Sequence, residues 1–299
     1  MSAESAPPIE GGTVLAFLNE VAGGRKLLTA IRERVDAGAE HVALAVPQNQ
    51  PVSGQIVDVD EVRDAALSRV EVTQQVLREF GIEATASIFD PVPPLALDDA
   101  VRAFQPSEIL ISALLESRFG WSRKDLIEWA SDRFDAPVVH IPVRIDDDAI
   151  ALDINHTLVV ATQTVNAPDL IDRLIARNRE GAHRYTFICP SSGDTPREEV
   201  VDRLAETLAA LYRDEIDATG QPMSPEPFAA VSNAIEHYRV DDILVSTFAG
   251  QQSQWIEDGL LDQIADITDK PVEHFESGGG SAASDSRQPV AAGAERSES

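Results

Sequence analysis

Residues 107–141 read SEILISALLESRFGWSRKDLIEWASDRFDAPVVHI, and residues 241–275 read DDILVSTFAGQQSQWIEDGLLDQIADITDKPVEHF. At an offset of 134 positions, and without a gap, Ile109, Leu110, Ser112, Trp121, Leu126, Asp132, Asp135, Pro137, Val138 and His140 meet identical residues. Average composition would give about two such matches in a window of this length. The segment is therefore an internal duplication. Each copy opens on a short apolar run (Glu108–Ser112, Asp242–Ser246), continues through a stretch with helical periodicity and closes on a Pro-Val-x-His step. That is a strand–helix–strand unit, the building block of a parallel sheet.

The same alternation extends toward the N-terminus. Thr13–Leu18 reads as a strand, and Arg25–Ala37 as a helix whose Leu27, Leu28, Ile31 and Val35 share one face. Gly38 ends that helix, and His41–Val46 forms the next strand, stopped by Pro47. A long helix is expected over Val59–Phe80, capped by Asp58 with Glu61 three residues on. A strand over Glu83–Ile88, a helix over Leu95–Phe104, a strand over Glu108–Ser112, a helix over Arg123–Phe134 and a strand over Val138–Ile141 complete the first unit. The second repeats it. Thr157–Ala161 answers the first strand, and Leu170, Ile171 and Leu174 answer Leu27, Leu28 and Ile31 at an offset of 143. The expected organisation is a tail over 1–10, α/β units over 11–145 and 146–276, and a Gly/Ser/Ala-rich tail over 277–299. Asp146-Asp147-Asp148 falls at the junction.

The chain has 299 residues and a formal net charge of −27. This balance excludes a nucleic-acid binder and a protein that docks on anionic lipid, both of which need cations to meet phosphate. Only three of its 24 basic residues are lysines, a usage that suits either a halophile's surface or an Arg-rich, GC-rich genome. The single cysteine, Cys189, cannot form an intramolecular disulfide and reads as a buried strand residue. The N-terminus lacks the basic start and apolar stretch of a signal peptide, and no apolar run is long enough to span a bilayer. A cytoplasmic protein is expected.

Five strands alternating with four helices in each unit resemble the universal stress protein fold. The chain is similar, in particular, to uncharacterised actinobacterial stress-protein-like proteins, in two segments. One is the loop Asn19-Glu20-Val21-Ala22-Gly23-Gly24 after the first strand. The other is Trp121-Ser122-Arg123-Lys124-Asp125-Leu126 at the opening of the fourth helix. The resemblance implies two doubly wound five-stranded parallel sheets of order 3-2-1-4-5, packed as a pseudo-dimer through their fifth strands. It also implies ATP or another adenine nucleotide as the ligand to consider. ATP-binding members carry an acidic residue after the first strand and a Gly-x-x-Gly-x(9)-Gly-Ser/Thr segment after the fourth. Here Asn19 and Gln163 hold the first place, and Gly120 is the only glycine between Ala113 and Lys124. The glycines that would bring backbone N–H groups onto a triphosphate are missing.

In a sheet of this order a ligand crevice opens at the carboxyl ends of strands one and four. In the first unit Asn19, Gly23, Gly24, Ser112, Arg118, Trp121, Ser122, Arg123 and Lys124 would line it. Three cations lie within positions 118–124, at a helix N-terminus that already favours anions. An anion pocket, for a nucleotide or another phosphate-bearing small molecule, is weighed against a solvated loop whose cations offset local acidity. The equivalent loop of the second unit, Gln251–Asp258, has no cation and two acids. Trp121 and Trp255 could stack on a base. The retention of Trp255 where the cations are lost favours packing. His140 and His274 have no companions at metal-ligand spacing and are expected at the interface between copies. Residues 277–286 resemble a pyrophosphatase loop only superficially, with the wrong spacing and place. No Ser/His/Asp constellation or nucleophile elbow is present. The expected function is a non-catalytic stress-protein-like module binding at most one small phosphate-bearing ligand, with further homo-oligomerisation open. The alternatives are a ligand-free interaction scaffold and, behind it, an ATP-using enzyme.

Overall fold

The structure, a computed structural model, describes residues 11–18, 24–48, 59–113, 123–142, 154–190, 195–223, 226–238, 240–249 and 254–278. The expected tail over 1–10, the Asp146–Asp148 junction and residues 279–299 lie outside them; Ser277, expected to open the C-terminal tail, is instead the buried last residue of the final strand. The first unit runs β1 (Thr13–Leu18), α1 (Arg25–Asp36), β2 (His41–Pro47), α2 (Val59–Glu79), β3 (Ala84–Phe89), α3 (Pro93–Phe104), β4 (Glu108–Ala113), α4 (Arg123–Arg133) and β5 (Val138–Pro142). The second runs β6 (Asn155–Val160), α5 (Pro168–Glu180), β7 (His183–Pro190), α6 (Arg197–Arg213), β8 (Asp217–Met223), α7 (Pro227–His237), β9 (Asp242–Phe248), α8 (Gln254–Glu257), α9 (Leu260–Ile267) and β10 (Val272–Ser277).

The strands form two separate five-stranded sheets, β3-β2-β1-β4-β5 and β10-β9-β6-β7-β8. Every strand pairing is parallel. Each unit therefore has the order 3-2-1-4-5. The central strands are buried over consecutive residues, Val14–Leu18 in β1 and His156–Val160 in β6, because helices cover both faces of each sheet. Two boundaries move for local reasons. α3 starts at Pro93, two residues before the expected Leu95, because proline is pre-shaped for the first helical turn and has no N–H to leave unpaired there. In the second unit the helix equivalent to α4 is split into α8 and α9. Between them Gly259 takes a left-handed conformation (φ 76°), where the first unit has Asp125.

The copies do not meet through their fifth strands. β5 and β10 are edge strands of different sheets. The contact runs instead between α2 and α6, the equivalent helix of each unit, with α2 also lying on β8. One hydrophobic core passes through it, joining Val70, Val76 and Leu77 to Val200, Leu204, Leu208 and Leu211. Its rim is ionic. Arg197 pairs with Glu71 at 3.0 Å, and Arg213 with Glu79 at 3.5 Å. Arg197 also donates to Ser68 Oγ at 2.7 Å. The guanidinium groups of Arg32 and Arg213 both lie over the Phe80 ring. The physical reason for the correction lies in the helices. α2 buries Ala66, Arg69, Val70, Val72, Thr73, Val76 and Leu77, an arc wider than one sheet face can cover.

The duplication extends to a buried ion pair. Arg34 of α1 meets Glu108 of β4 with Nη2 to Oε1 at 2.8 Å and Nε to Oε2 at 3.2 Å. Both side chains are 3% exposed. The hydrogen bonds to Glu108 hold the guanidinium above its ordinary range, against the opposing effect of burial. At the same offsets as the sequence repeat, Arg177 meets Asp242 at 2.9 Å.

His140 and His274 sit on fifth strands that belong to separate sheets. His140 lies opposite Ile111 in its own sheet, and the His274 ring is 2.8 Å from Thr247 Oγ1 on the neighbouring strand. Trp255 packs against the core under α7 and α9, as its retention suggested. Trp129, which has no counterpart, meets Phe134 edge-on at 5.6 Å. Cys189 is fully buried in β7, and burial pushes its thiol far up from the ordinary range.

Candidate phosphate crevice and its second-copy wall

At the switch point of the first sheet, β1 ends at Leu18 opposite Ser112 of β4, and Ser112 in turn faces Ile141 of β5. Helix α1 enters the same space with Gly24 as its N-cap. No side chain caps it, and its first backbone bond is Leu28 N–H to Gly24 O at 3.1 Å. The N–H groups of the turn thus point into the crevice without an intrahelical partner. Ser112 is 2% exposed, and its Oγ has no hydrogen-bond partner among the described residues. Gly24, Arg25, Lys26, Leu27, Ser112 and Ile141 line a cavity of about 30 Å³. That is room for a water molecule or two, far below the roughly 300 Å³ at which small-molecule pockets begin.

The other wall belongs to the second copy. Arg184, Asp217, Ala218 and Thr219 close the cavity. Arg25 Nε donates to Asp217 Oδ1 at 2.9 Å. A Cβ added to Gly24 would stand 3.3 Å from Thr219 Cγ2, so the absence of a side chain lets α1 come up against β8. Behind the wall Arg184 Nη2 is 2.7 Å from His156 Nδ1, and His156 Nε2 is 2.8 Å from Thr186 Oγ1. The guanidinium can only donate, so Nδ1 accepts and the Nε2–H faces Thr186.

Of the nine residues expected here, the structure brings Gly24 and Ser112 together. Arg123 and Lys124 open α4, and their side chains lie outside the described residues. So do Asn19, Gly23, Arg118, Trp121 and Ser122. Sequence reasoning missed Arg25 and Lys26. The signal was present, since two adjacent cations in the first turn of a helix are as unusual here as in α4. Arg184, Asp217 and Thr219 left no such signal, because they reach the crevice only through the packing of one copy on the other.

The corresponding place in the second copy is filled by its own chain. Thr162 Oγ1 donates to Pro190 O at 2.6 Å and Thr164 Oγ1 to Ser246 O at 3.1 Å, both from buried positions. Gln163, at the place of the family's acidic residue, points into solvent. The hydroxyl of Ser246, equivalent to Ser112, is also buried without a partner among the described residues. The end of β10 is pinned as well. Asp169 on α5 receives the Ser277 hydroxyl, the Gly278 N–H at 2.6 Å and the Leu170 N–H at 3.0 Å. Burial raises the Asp169 carboxyl, but these hydrogen bonds together outweigh it and hold the group below the usual carboxylate range. The folded value lies below the unfolded one, so the contribution to stability is present above about pH 4 and lost as pH falls through the folded value. In urea unfolding at pH 7, Asp169→Asn is expected to lose roughly 1 kcal/mol, a figure kept low because the half-buried group is screened by water. The gap to the parent should narrow steadily as pH falls below about 4, the unfolded carboxylate value. A gap that does not change on acidification would contradict this assignment.

Among the described residues no group of three His, Cys, Asp or Glu is placed to hold a metal ion, and no helix is long and apolar enough to cross a membrane. No family model matches the chain, and no curated protein does. Among solved structures it is similar to a universal stress protein from Archaeoglobus fulgidus DSM 4304. That match has 18% identity and a TM-score of 0.33, and covers 88% of this chain and 97% of the other.

Proposed function

We propose that the chain is a non-catalytic, universal-stress-protein-like tandem module of the cytoplasm that holds one small phosphate-bearing ligand in the crevice of its first copy. The observation that carries this reading is the buried Ser112 hydroxyl. Among the described residues it stands unpartnered beside the uncapped N-terminus of α1, with Arg25 and Lys26 at hand, in a chain of net charge −27. Backbone N–H groups, a hydroxyl and cations converging on one point are the means by which proteins hold phosphate. The cavity, with room for a water molecule or two, is too small to bury a nucleotide; a phosphate group, free or at the end of an adenine nucleotide, would sit at its mouth against Gly24, Arg25 and Lys26.

Calorimetry and thermal shift with inorganic phosphate, AMP, cyclic AMP and ATP test this. Binding of one equivalent per chain is expected, with a rise in melting temperature that follows ligand concentration. A stoichiometry of two would contradict the self-filled second crevice. No response to any of the four at millimolar concentration would leave the alternative, a ligand-free interaction scaffold. That second reading is favoured by one observation, the Thr162 and Thr164 bonds that fill one of the two crevices with protein.

A further inference from the structure

Building on the phosphate-site reading above, we infer that the second copy regulates the site of the first, with the Asp217 carboxylate acting as an internal anion that a ligand's phosphate must displace from Arg25. Around the cavity stand three cations, Arg25, Lys26 and Arg184, and one acid, Asp217. The acid holds Arg25 at 2.9 Å, and its side chain is 19% exposed. It does from the second copy what a bound phosphate would do: it places negative charge against a guanidinium beside a helix N-terminus.

The placement of Asp217 does not depend on that ion pair. Asp217 is the first residue of β8 and sits in register with Arg184 on β7. The next residue, Ala218, has its carbonyl held by the Tyr212 hydroxyl at 2.6 Å. Strand and tyrosine fix the carboxylate where Arg25 meets it. Its removal should therefore leave β8 in place and the cavity one charge more positive. The Arg25–Asp217 pair also ties α1 to β8, so a ligand that takes Arg25 loosens one contact between the copies. Binding in the first copy and packing of the second are thus linked.

Calorimetric titration of the full chain with inorganic phosphate at low salt tests this on the parent, Asp217→Asn, Asp217→Glu and the double variant Arg25→Gln/Asp217→Asn. Asp217→Asn is expected to bind phosphate about tenfold more tightly. Asp217→Glu should stay within about threefold of the parent, because the competing charge is retained. The double variant should lose the gain. Equal affinity for the parent and Asp217→Asn would overturn the internal-anion role and leave the phosphate site standing. No binding by any of the four, with circular dichroism unchanged, would overturn the site itself and this inference with it.

Discussion

Glu108→Gln is expected to destabilise the protein by about 3–5 kcal/mol, measured by urea unfolding. The carboxylate accepts Arg34 Nη2 at 2.8 Å and Arg34 Nε at 3.3 Å and 3.2 Å, with both side chains 3% exposed. Nη1 is committed elsewhere, to the Ala30 carbonyl and to Glu33. A glutamine would leave a buried guanidinium charge with only the solvent-exposed Glu33 as counter-charge, and that desolvation penalty is the source of the loss. Removing both charges together, as in Arg34→Met/Glu108→Leu, should recover most of it, because an apolar pair carries no such penalty. A single-variant loss under about 1 kcal/mol would contradict this. The copy in the second unit should respond less. Asp242 is one methylene shorter, Asn155 shares it at 2.7 Å, and the Arg177 and Asp242 side chains are 15% and 13% exposed. A cavity of about 290 Å³ beside Asn155, Arg177 and Asp242 gives water access to what Asp242→Asn would strand.

Leu204→Ala, in the core that crosses from one copy to the other, should cost about 2–5 kcal/mol. The side chain is fully buried, and its Cδ1 would stand 3.0 Å from a Cβ built on Gly220. A void there has little freedom to collapse, because Gly220 already lets Phe187 and Leu204 close over β8. Leu77→Ala on the facing helix should cost a similar amount. Because one contiguous core holds both residues, each change should lower the same transition and not the stability of one copy alone. Trp129 and Trp255 lie in the outer cores of the first and second copies, so variants in which one of them is the sole tryptophan, Trp121 also being replaced, report on each half separately. Coincident midpoints are expected in the parent and in both alanine variants. Two separated transitions would show that the copies unfold independently.

The strands and their order were legible because consecutive apolar residues buried on both faces have few other uses, and because a gapless repeat marks equivalent elements. The packing of the copies was not. The contacts that set it, such as Arg197 with Glu71, join residues 126 positions apart, and neither helix records the identity of its partner. What α2 does record is excess: Ala66, Val70, Val72, Val76 and Leu77 spread over about 160° of its circumference, wider than the stripe one sheet face needs. The Arg34–Glu108 pair was hidden for a similar reason. Each residue reads as an ordinary surface charge until α1 is laid across β4, although the recurrence of Arg at 177 and Asp at 242 at the repeat offsets could have exposed it. In the crevice, Gly24 and Ser112 followed from topology alone, whereas Asp217 is contributed by a different repeat.

The pairing of α2 with α6 sets equivalent helices against each other, as in a symmetric dimer, where each surface must complement itself. Among the ion pairs that cross between these two helices, α6 supplies the cations Arg197 and Arg213, and α2 supplies the acids Glu71 and Glu79. Two identical subunits cannot divide charge in this way, since whatever one presents the other presents too. At the repeat's offset of 134 residues Arg213 stands where the first copy has Glu79, so a chain built from two first copies would set Glu79 against Glu79 at that point of the seam, and one built from two second copies Arg213 against Arg213. Fusion has thus turned a self-complementary surface into a lock and its key. It favours pairing within the chain and works against association of either half with its own kind.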